Sequence, residues 1–240
     1  YMSAEQAMNY IEKQKKEQYK GKTTRVIADQ YTDYIRMCNK LKKKLDDEMI
    51  YKPRELKRRH DEATEDIKVR EIEIDSEEYS ERYPEAEDVL KEIKKKFEYR
   101  GIEYFIMVPE RIYDIVCEGR SLHHCVGSTD RYFDRMAQHE TYICFLRKVE
   151  EPDKPFYTIE VEPGGTIRQH RGAYDEEPEL EKVKPFLKEG QKEIRKRMSA
   201  EDHARAKQSK VLREANIREL QEKNNTRVLQ GLMEDFMEAV

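Results

Sequence analysis

Residues 117–135 read CEGRSLHHCVGSTDRYFDR and hold two cysteines, two glycines and the adjacent His123 and His124, in a chain otherwise dominated by charged side chains. Three strand-like runs follow at once: TYICFLRKV (141–149), FYTIEV (156–161) and TIRQHRG (166–172). EEPDKP separates the first two, and Pro163-Gly164-Gly165 separates the second from the third, which is turn chemistry suited to an antiparallel meander. Before the stretch, Tyr104–Val108 is β-prone and stops at Pro109. Glu110–Cys117 reads as a short helix with Ile112, Ile115 and Val116 inward, closed by Gly119. Ser121 and Gly127 bracket a turn that carries His123, His124 and Cys125. A further helix starts at Ser128 or Thr129 and places Tyr132, Phe133 and Met136 on one side. The expected fold class is α+β: a small antiparallel sheet of three to four strands, one face covered by short helices.

Outward from this centre the pattern is helical. On the N-terminal side, Ala4–Tyr19 reads as a helix ended by Gly21, with Thr23 or Thr24 capping the next. Ile27, Tyr31, Tyr34, Ile35, Cys38, Leu41 and Leu45 recur at helical spacing, predicting a second helix as far as Leu45. Pro53 opens a third toward Ile74, with a sparse stripe of Leu56, Ala63 and Ile67, and Pro84 opens a fourth through Val89, Leu90, Ile93 and Phe97. On the C-terminal side, Leu180, Val183, Phe186, Leu187 and Ile194 form a buried stripe. A long polar helix follows, with Val211, Leu212, Ala215 and Leu220 as weak anchors. Val228, Leu229, Leu232, Met233, Phe236 and Met237 then cluster at helical spacing, a surface for the N-terminal helices or for a protein partner. The expected organisation is an N-terminal helical region (1–100), a central α+β domain (101–190) and a C-terminal helical extension (191–240).

Of the 240 residues, 41% are charged and 37% hydrophobic, with no Trp, a balance suited to a small packed unit flanked by solvated helices. The net charge of −4 gives no general expectation of nucleic-acid binding, which would have to come from a local basic run. The four cysteines show no disulfide framework, which predicts a reduced, cytoplasmic setting. No apolar run approaches a bilayer span and no signal peptide is evident, so no membrane partner is expected. No cofactor is implied. The chain starts at Tyr1 rather than Met, which fits a piece of a longer protein.

EGRSLHHCVG, then CFLRK, KPFYTIEV and IRQHRGAY, resemble the PcfJ-like family of conjugative plasmids and phages. The matching motifs are His124-Cys125-Val126 and Leu146-Arg147. The resemblance covers roughly residues 100–190, implies a mobile-element setting and implies no reaction. It adds weight to Cys125 and Arg147.

Two constellations could carry chemistry. The first is a pocket of His124, Cys125, Arg147, Glu160, Gln169 and His170. His124 cannot activate the cysteine beside it, because neighbouring side chains diverge, so the base for a Cys125 thiolate would be His170. Arg120 or Arg147 could lower the thiol pKa. Gln169 is expected on the face of Ile167, forming a ligand cradle with Arg147. Such a pocket would suit a hydrolase or a nucleotide-modifying transferase; the bland alternative is that Cys125 and Val126 fill the core. A zinc module is a further alternative, because His123, His124, Cys117, Cys125, Cys144 and His170 are all ligand types. They lack the paired spacing of zinc sites, so no metal residues are assigned. The second constellation is basic: Lys42, Lys43, Lys44, Lys57, Arg58 and Arg59, with Lys52 and Arg54 between them, could track phosphates. The bland alternative there is a solvated helix face balanced by Asp46, Asp47 and Glu48. The leading expectation is an accessory protein of a mobile genetic element that binds nucleic acid or a protein partner.

Overall fold

The computed structural model describes residues 2–223 and 240, so the apolar cluster from Val228 to Met237 lies outside the described residues. The chain divides into two compact units, Tyr1–Ile74 and Asp75–Val240.

In the first unit, helix α1 (Ala4–Gln18) starts at a capping box in which Ser3 and Gln6 satisfy each other's backbone N–H groups. Helix α2 (Thr24–Lys40) packs Ile27, Tyr34 and Cys38 against Tyr10 and Ile11 of α1. It stops at Lys40, short of the expected Leu45, because Lys42 takes a left-handed backbone (φ 55°). Leu41 and Leu45 still reach the core, but from the turn. A single-turn helix α3 (Glu48–Tyr51) precedes α4 (Leu56–Arg82), which begins at Leu56 rather than at Pro53. The first N–H groups of a helix have no partner within it, and here α1 supplies them. Gln14 Oε1 accepts from Leu56 N (3.1 Å) and Gln18 Oε1 from Lys57 N (3.3 Å). The same two amides donate to Arg54 O at 2.9 and 3.0 Å, and the Tyr10 hydroxyl donates to Pro53 O at 2.8 Å. Two glutamines one helical turn apart thus fix the start of α4. That helix runs past the expected Ile74 to Arg82, and Pro84 begins the next.

The second unit contains α5 (Pro84–Phe97) and one antiparallel sheet in the order β1 (Tyr99–Arg100), β2 (Tyr104–Met107), β3 (Tyr142–Lys148), β4 (Tyr157–Val161), β5 (Ile167–Arg171). The sheet has five strands rather than three or four, because the two-residue β1 pairs with β2. Helices α6 (Ile112–Leu122) and α7 (Arg131–Ala137) lie between β2 and β3 in sequence. Asp114 caps α6 by accepting from the N–H groups of Glu110 and Arg111. Alternation and register put Phe105, Arg147, Phe145, Thr158, Glu160 and Gln169 on one face, and Tyr104, Ile106, Leu146, Tyr157, Ile159 and His170 on the other. The expectation of cover on one face falls short. The first face meets α6 and α7, and the second meets α8 (Leu180–Arg195), whose Phe186 packs on Tyr104 and whose Gln191 accepts from Ile167 N. Burial on both sides explains why β3 reads as the nearly continuous apolar run YICFL.

The last described helix, α9 (Ala200–Glu222), does not dock through its apolar residues. Val211 is 60% exposed, and the buried side chains of α9 are Asp202, Ser209 and Arg213. Asp202 pairs with Lys96 (2.8 Å) and Arg205 with Glu92 (2.5 Å), both partners on α5. Ser209 donates to Glu140 O (2.6 Å), Arg213 to Glu162 (3.3 Å) and Asn216 to the Glu140 carboxylate (2.9 Å). Periodicity of apolar residues could not reveal a docking face whose most deeply buried side chains are polar. Among the described residues, no helix is long and apolar enough to cross a membrane.

Candidate functional site

The His-His-Cys-Val-Gly run is a tight return of the chain across α6. Gly119 does not close that helix, as its residue type suggested; it lies inside it, and a Cβ there would sit 1.5 Å from Val126 O. At Gly127, whose φ is +76°, a Cβ would sit 2.7 Å from Val116 Cα and 2.8 Å from Ile115 O. Two glycines therefore let two backbones touch. The helix ends at Leu122, and the next residue, His123, adopts a left-handed conformation (φ 56°). That kink sends the adjacent imidazoles apart. His123 stacks on Tyr174 outside (centroids 4.6 Å apart), and His124 turns inward to place Nε2 2.9 Å from Thr158 Oγ1. Burial lowers the His124 pKa, which favours the neutral ring.

Arg147 comes from the same sheet face as Thr158. It donates to both oxygens of Glu118 on α6, at 2.8 and 2.5 Å, and its guanidinium lies over the Phe145 ring. Burial pushes the Glu118 carboxyl up from its ordinary range, and Arg147 pulls the other way. One residue pair further toward the sheet's end, Arg135 of α7 donates to Glu160 (2.7 Å) and to Glu140 (3.0 Å), all three deeply buried. Burial would raise the Glu160 pKa, but Arg135 and Arg213 outweigh it and hold the carboxyl below its ordinary value.

Of the pocket residues expected from sequence, His124, Arg147, Glu160 and Gln169 thus share one face of the sheet. His170 does not; it projects from the opposite face, where Nδ1 is 3.3 Å from a Glu177 oxygen. The Cys125–His170 couple therefore does not form. Cys125 does not fill the core either: its thiol is exposed and 3.7 Å from the Tyr132 hydroxyl, while Val126 is buried. Gln169 also parts from Ile167. A bulge at Arg168 pairs Val161 with Ile167 but Glu160 with Gln169, so the two side chains lie on opposite faces. Among the described residues, no three His, Cys, Asp or Glu side chains are disposed to hold one metal ion, and the cysteines are free.

The basic candidates lie in the first unit. Lys43 pairs with Asp66 (2.8 Å), Arg58 with Glu55 (2.7 Å), and Arg59 with Glu62 (2.9 Å). Lys42, Lys44 and Lys57 are exposed, with no ion pair among the described residues. Exposed pairs of this kind are worth only ~0–1 kcal/mol, so a phosphate can displace the carboxylates of Arg58 and Arg59. Sequence reasoning missed Glu118 and Thr158, the partners of Arg147 and His124. For Glu118 a signal existed: it stands three residues after Ile115 and four before Leu122, a lone carboxylate on the inward face of α6.

Comparison with known proteins follows the same outline. The family model described as "PcfJ-like protein" matches residues 30–187. A protein of Listeria innocua serovar 6a, described as "Uncharacterized protein Lin1253/Lin1744", is 30% identical over 148 residues, which is 62% of this chain and 30% of that protein. The chain thus spans under a third of the length of that curated relative. No solved structure matches.

Proposed function

This chain belongs to the PcfJ-like family, and from that premise we propose that it is an accessory protein of a mobile genetic element, plasmid or phage, that binds nucleic acid through its first unit. The observation that carries the reading is the exposed set Lys42, Lys44 and Lys57, without an ion pair among the described residues, beside the weakly paired Arg58 and Arg59. Cations held this loosely release counterions from a phosphate backbone at little cost to the fold. The setting is the cytoplasm, where the four cysteines remain thiols.

The family motifs support a structural role in the second unit. His124, Arg147 and Glu160 are each occupied by a buried partner, and the glycines hold two backbones in contact. A Cys125-dependent hydrolase or nucleotide-modifying transferase has less to rest on, because Cys125 has no imidazole partner.

The test is fluorescence anisotropy with labelled DNA and RNA oligonucleotides at 50 mM salt. The unaltered chain should bind, and the Lys42→Glu/Lys44→Glu/Lys57→Glu variant should bind at least tenfold more weakly with unchanged circular dichroism. Cys125→Ser should bind as the parent does. Absence of binding to any oligonucleotide at 50 mM salt overturns the proposal.

A further inference from the structure

A groove of about 1260 Å³ opens in the first unit between α1 and the corner joining α3 to α4. Its cations are Lys13, Lys52, Arg54, Arg58 and Arg59, against only Glu48 and Glu55. Four of the five belong to the basic run read from the sequence, and Lys13 of α1 is added to it by the fold. The groove is built rather than incidental. Arg54 is placed by the Gln14 and Gln18 amides, which both donate to its carbonyl oxygen. Its side chain forms no ion pair among the described residues. The remaining cations hold exposed partners only, such as Glu17 for Lys13 (3.9 Å) and Glu48 for Lys52 (3.5 Å).

The other lining groups suit bases rather than phosphates. Gln6 and Asn9 bring amides, which can donate to and accept from base edges, and the 70% exposed Met49 brings apolar surface. Cations that follow a backbone, with apolar surface against the base faces, are the elements of single-strand recognition. The volume is that of a ligand cleft, a little above the ~300–1,000 Å³ usual for small molecules. A few nucleotides of one strand fit such a space with their base faces free to meet its lining, whereas a duplex keeps those faces stacked inside. A neighbouring concavity of about 980 Å³ is more acidic, with Glu55, Asp61, Glu62, Glu65 and Asp66 against Lys57 and Arg58, so phosphates are drawn more strongly to the first groove.

We propose that this groove is the seat of single-stranded nucleic acid, with Arg54 and Lys13 as phosphate contacts on its two walls. The proposal rests on the nucleic-acid reading above, shares Arg58 and Arg59 with it, and adds a further site and one form of the ligand. The experiment measures binding of the full chain to a labelled 20-nucleotide single strand, as DNA and as RNA, and to the matching duplex. The single strand should bind at least tenfold more tightly than the duplex. The slope of log K against log salt should be about −3, from four or five phosphate contacts at ~0.7 each. Arg54→Glu and Lys13→Glu should each weaken single-strand binding at least fivefold; neither side chain makes a hydrogen bond among the described residues, and circular dichroism checks that the helices persist. Duplex binding as tight as single-strand binding overturns this inference and leaves the nucleic-acid reading standing. So does single-strand binding that Arg54→Glu and Lys13→Glu leave unchanged. Failure to bind any nucleic acid overturns both. Displacement of the strand by poly-glutamate at lower concentration than by unlabelled strand also overturns the inference, in favour of an acidic protein partner.

Discussion

Arg147→Met tests whether the second family motif holds the fold rather than a ligand. The substitution removes the guanidinium from Glu118 but keeps a flexible apolar stem over Phe145. Both members of the pair are buried, with side chains 7% and 2% exposed. Removing one partner of such a pair strands a buried charge and costs about 3–5 kcal/mol. Glu118 can escape by taking up a proton: burial already raises its pKa, and Arg147 is the restraint on that rise. Without Arg147 its folded-state pKa climbs further above the unfolded value. A carboxyl shifted in this direction binds more protons when folded, so its stabilising contribution is complete below the unfolded pKa and is lost as pH rises through the folded one. The deficit of Arg147→Met should therefore be largest near pH 8 and shrink toward pH 5. Glu118→Leu combined with Arg147→Met leaves no stranded charge and should return to within ~1 kcal/mol of the parent, or exceed it. Urea unfolding followed by far-ultraviolet circular dichroism at several pH values measures these differences, and hydrogen exchange of the Tyr142–Lys148 peptide assigns them to this sheet. A deficit below ~1 kcal/mol, or one that does not change with pH, would refute the reasoning.

Four further outcomes follow from other contacts. Gly119→Ala should lose at least ~3 kcal/mol, against the ~1 kcal/mol that Ala gains over Gly in an unconstrained helix, because the new methyl meets a backbone carbonyl at 1.5 Å; a thermal melt reads the sign directly. Gln14→Leu leaves Leu56 N–H and one bond to Arg54 O unmade and should cost about 1–3 kcal/mol in urea unfolding, more than Gln18→Leu at its exposed neighbour. Maleimide should label Cys125 first, Cys117 later, and Cys38 and Cys144 only on unfolding, as peptide mass spectrometry will show; burial raises the pKa of Cys117 and Cys144 as well, which slows them further. Burial tends to raise the Asp202 pKa, but bonds from Lys96 and Ser199 outweigh it and hold the carboxyl low. The stabilisation it gives α9 is therefore present above the unfolded pKa and lost as pH falls through the folded one. Hydrogen exchange in Ala200–Glu222 should accelerate below about pH 4 while β3 stays protected.

What the sequence disclosed, it disclosed through period and punctuation. The turns at 150–155 and 163–165, the alternation of the strands they join and the stripe of α2 lead directly to the meander and to the first helices. What stayed hidden has no such signature. A two-residue strand such as β1 is too short for alternation. The bulge at Arg168 inverts the facing of Ile167 relative to Gln169 by a single extra residue, and nothing in TIRQHR marks it. Gly119 has the residue type of a helix terminator and instead serves a contact with Val126, a distinction that needs the crossing chain to be in view. In the candidate pocket, the alternation of β3 is enough to put Arg147 and Phe145 on one face. Residue types alone could not say that His170 would emerge from the other.

The manner in which α9 is attached has a consequence for engineering and for divergence. Segments that hide hydrocarbon leave an adhesive scar when they are removed; this one rests on carboxylates, a hydroxyl contact and guanidinium groups. It also begins thirteen residues beyond the stretch that the family model matches, which ends at 187. A chain cut before Ser199 would bare acidic groups that water can receive. What holds the helix in place is thus charge and hydroxyl chemistry, which water can replace more readily than it can cover an apolar face.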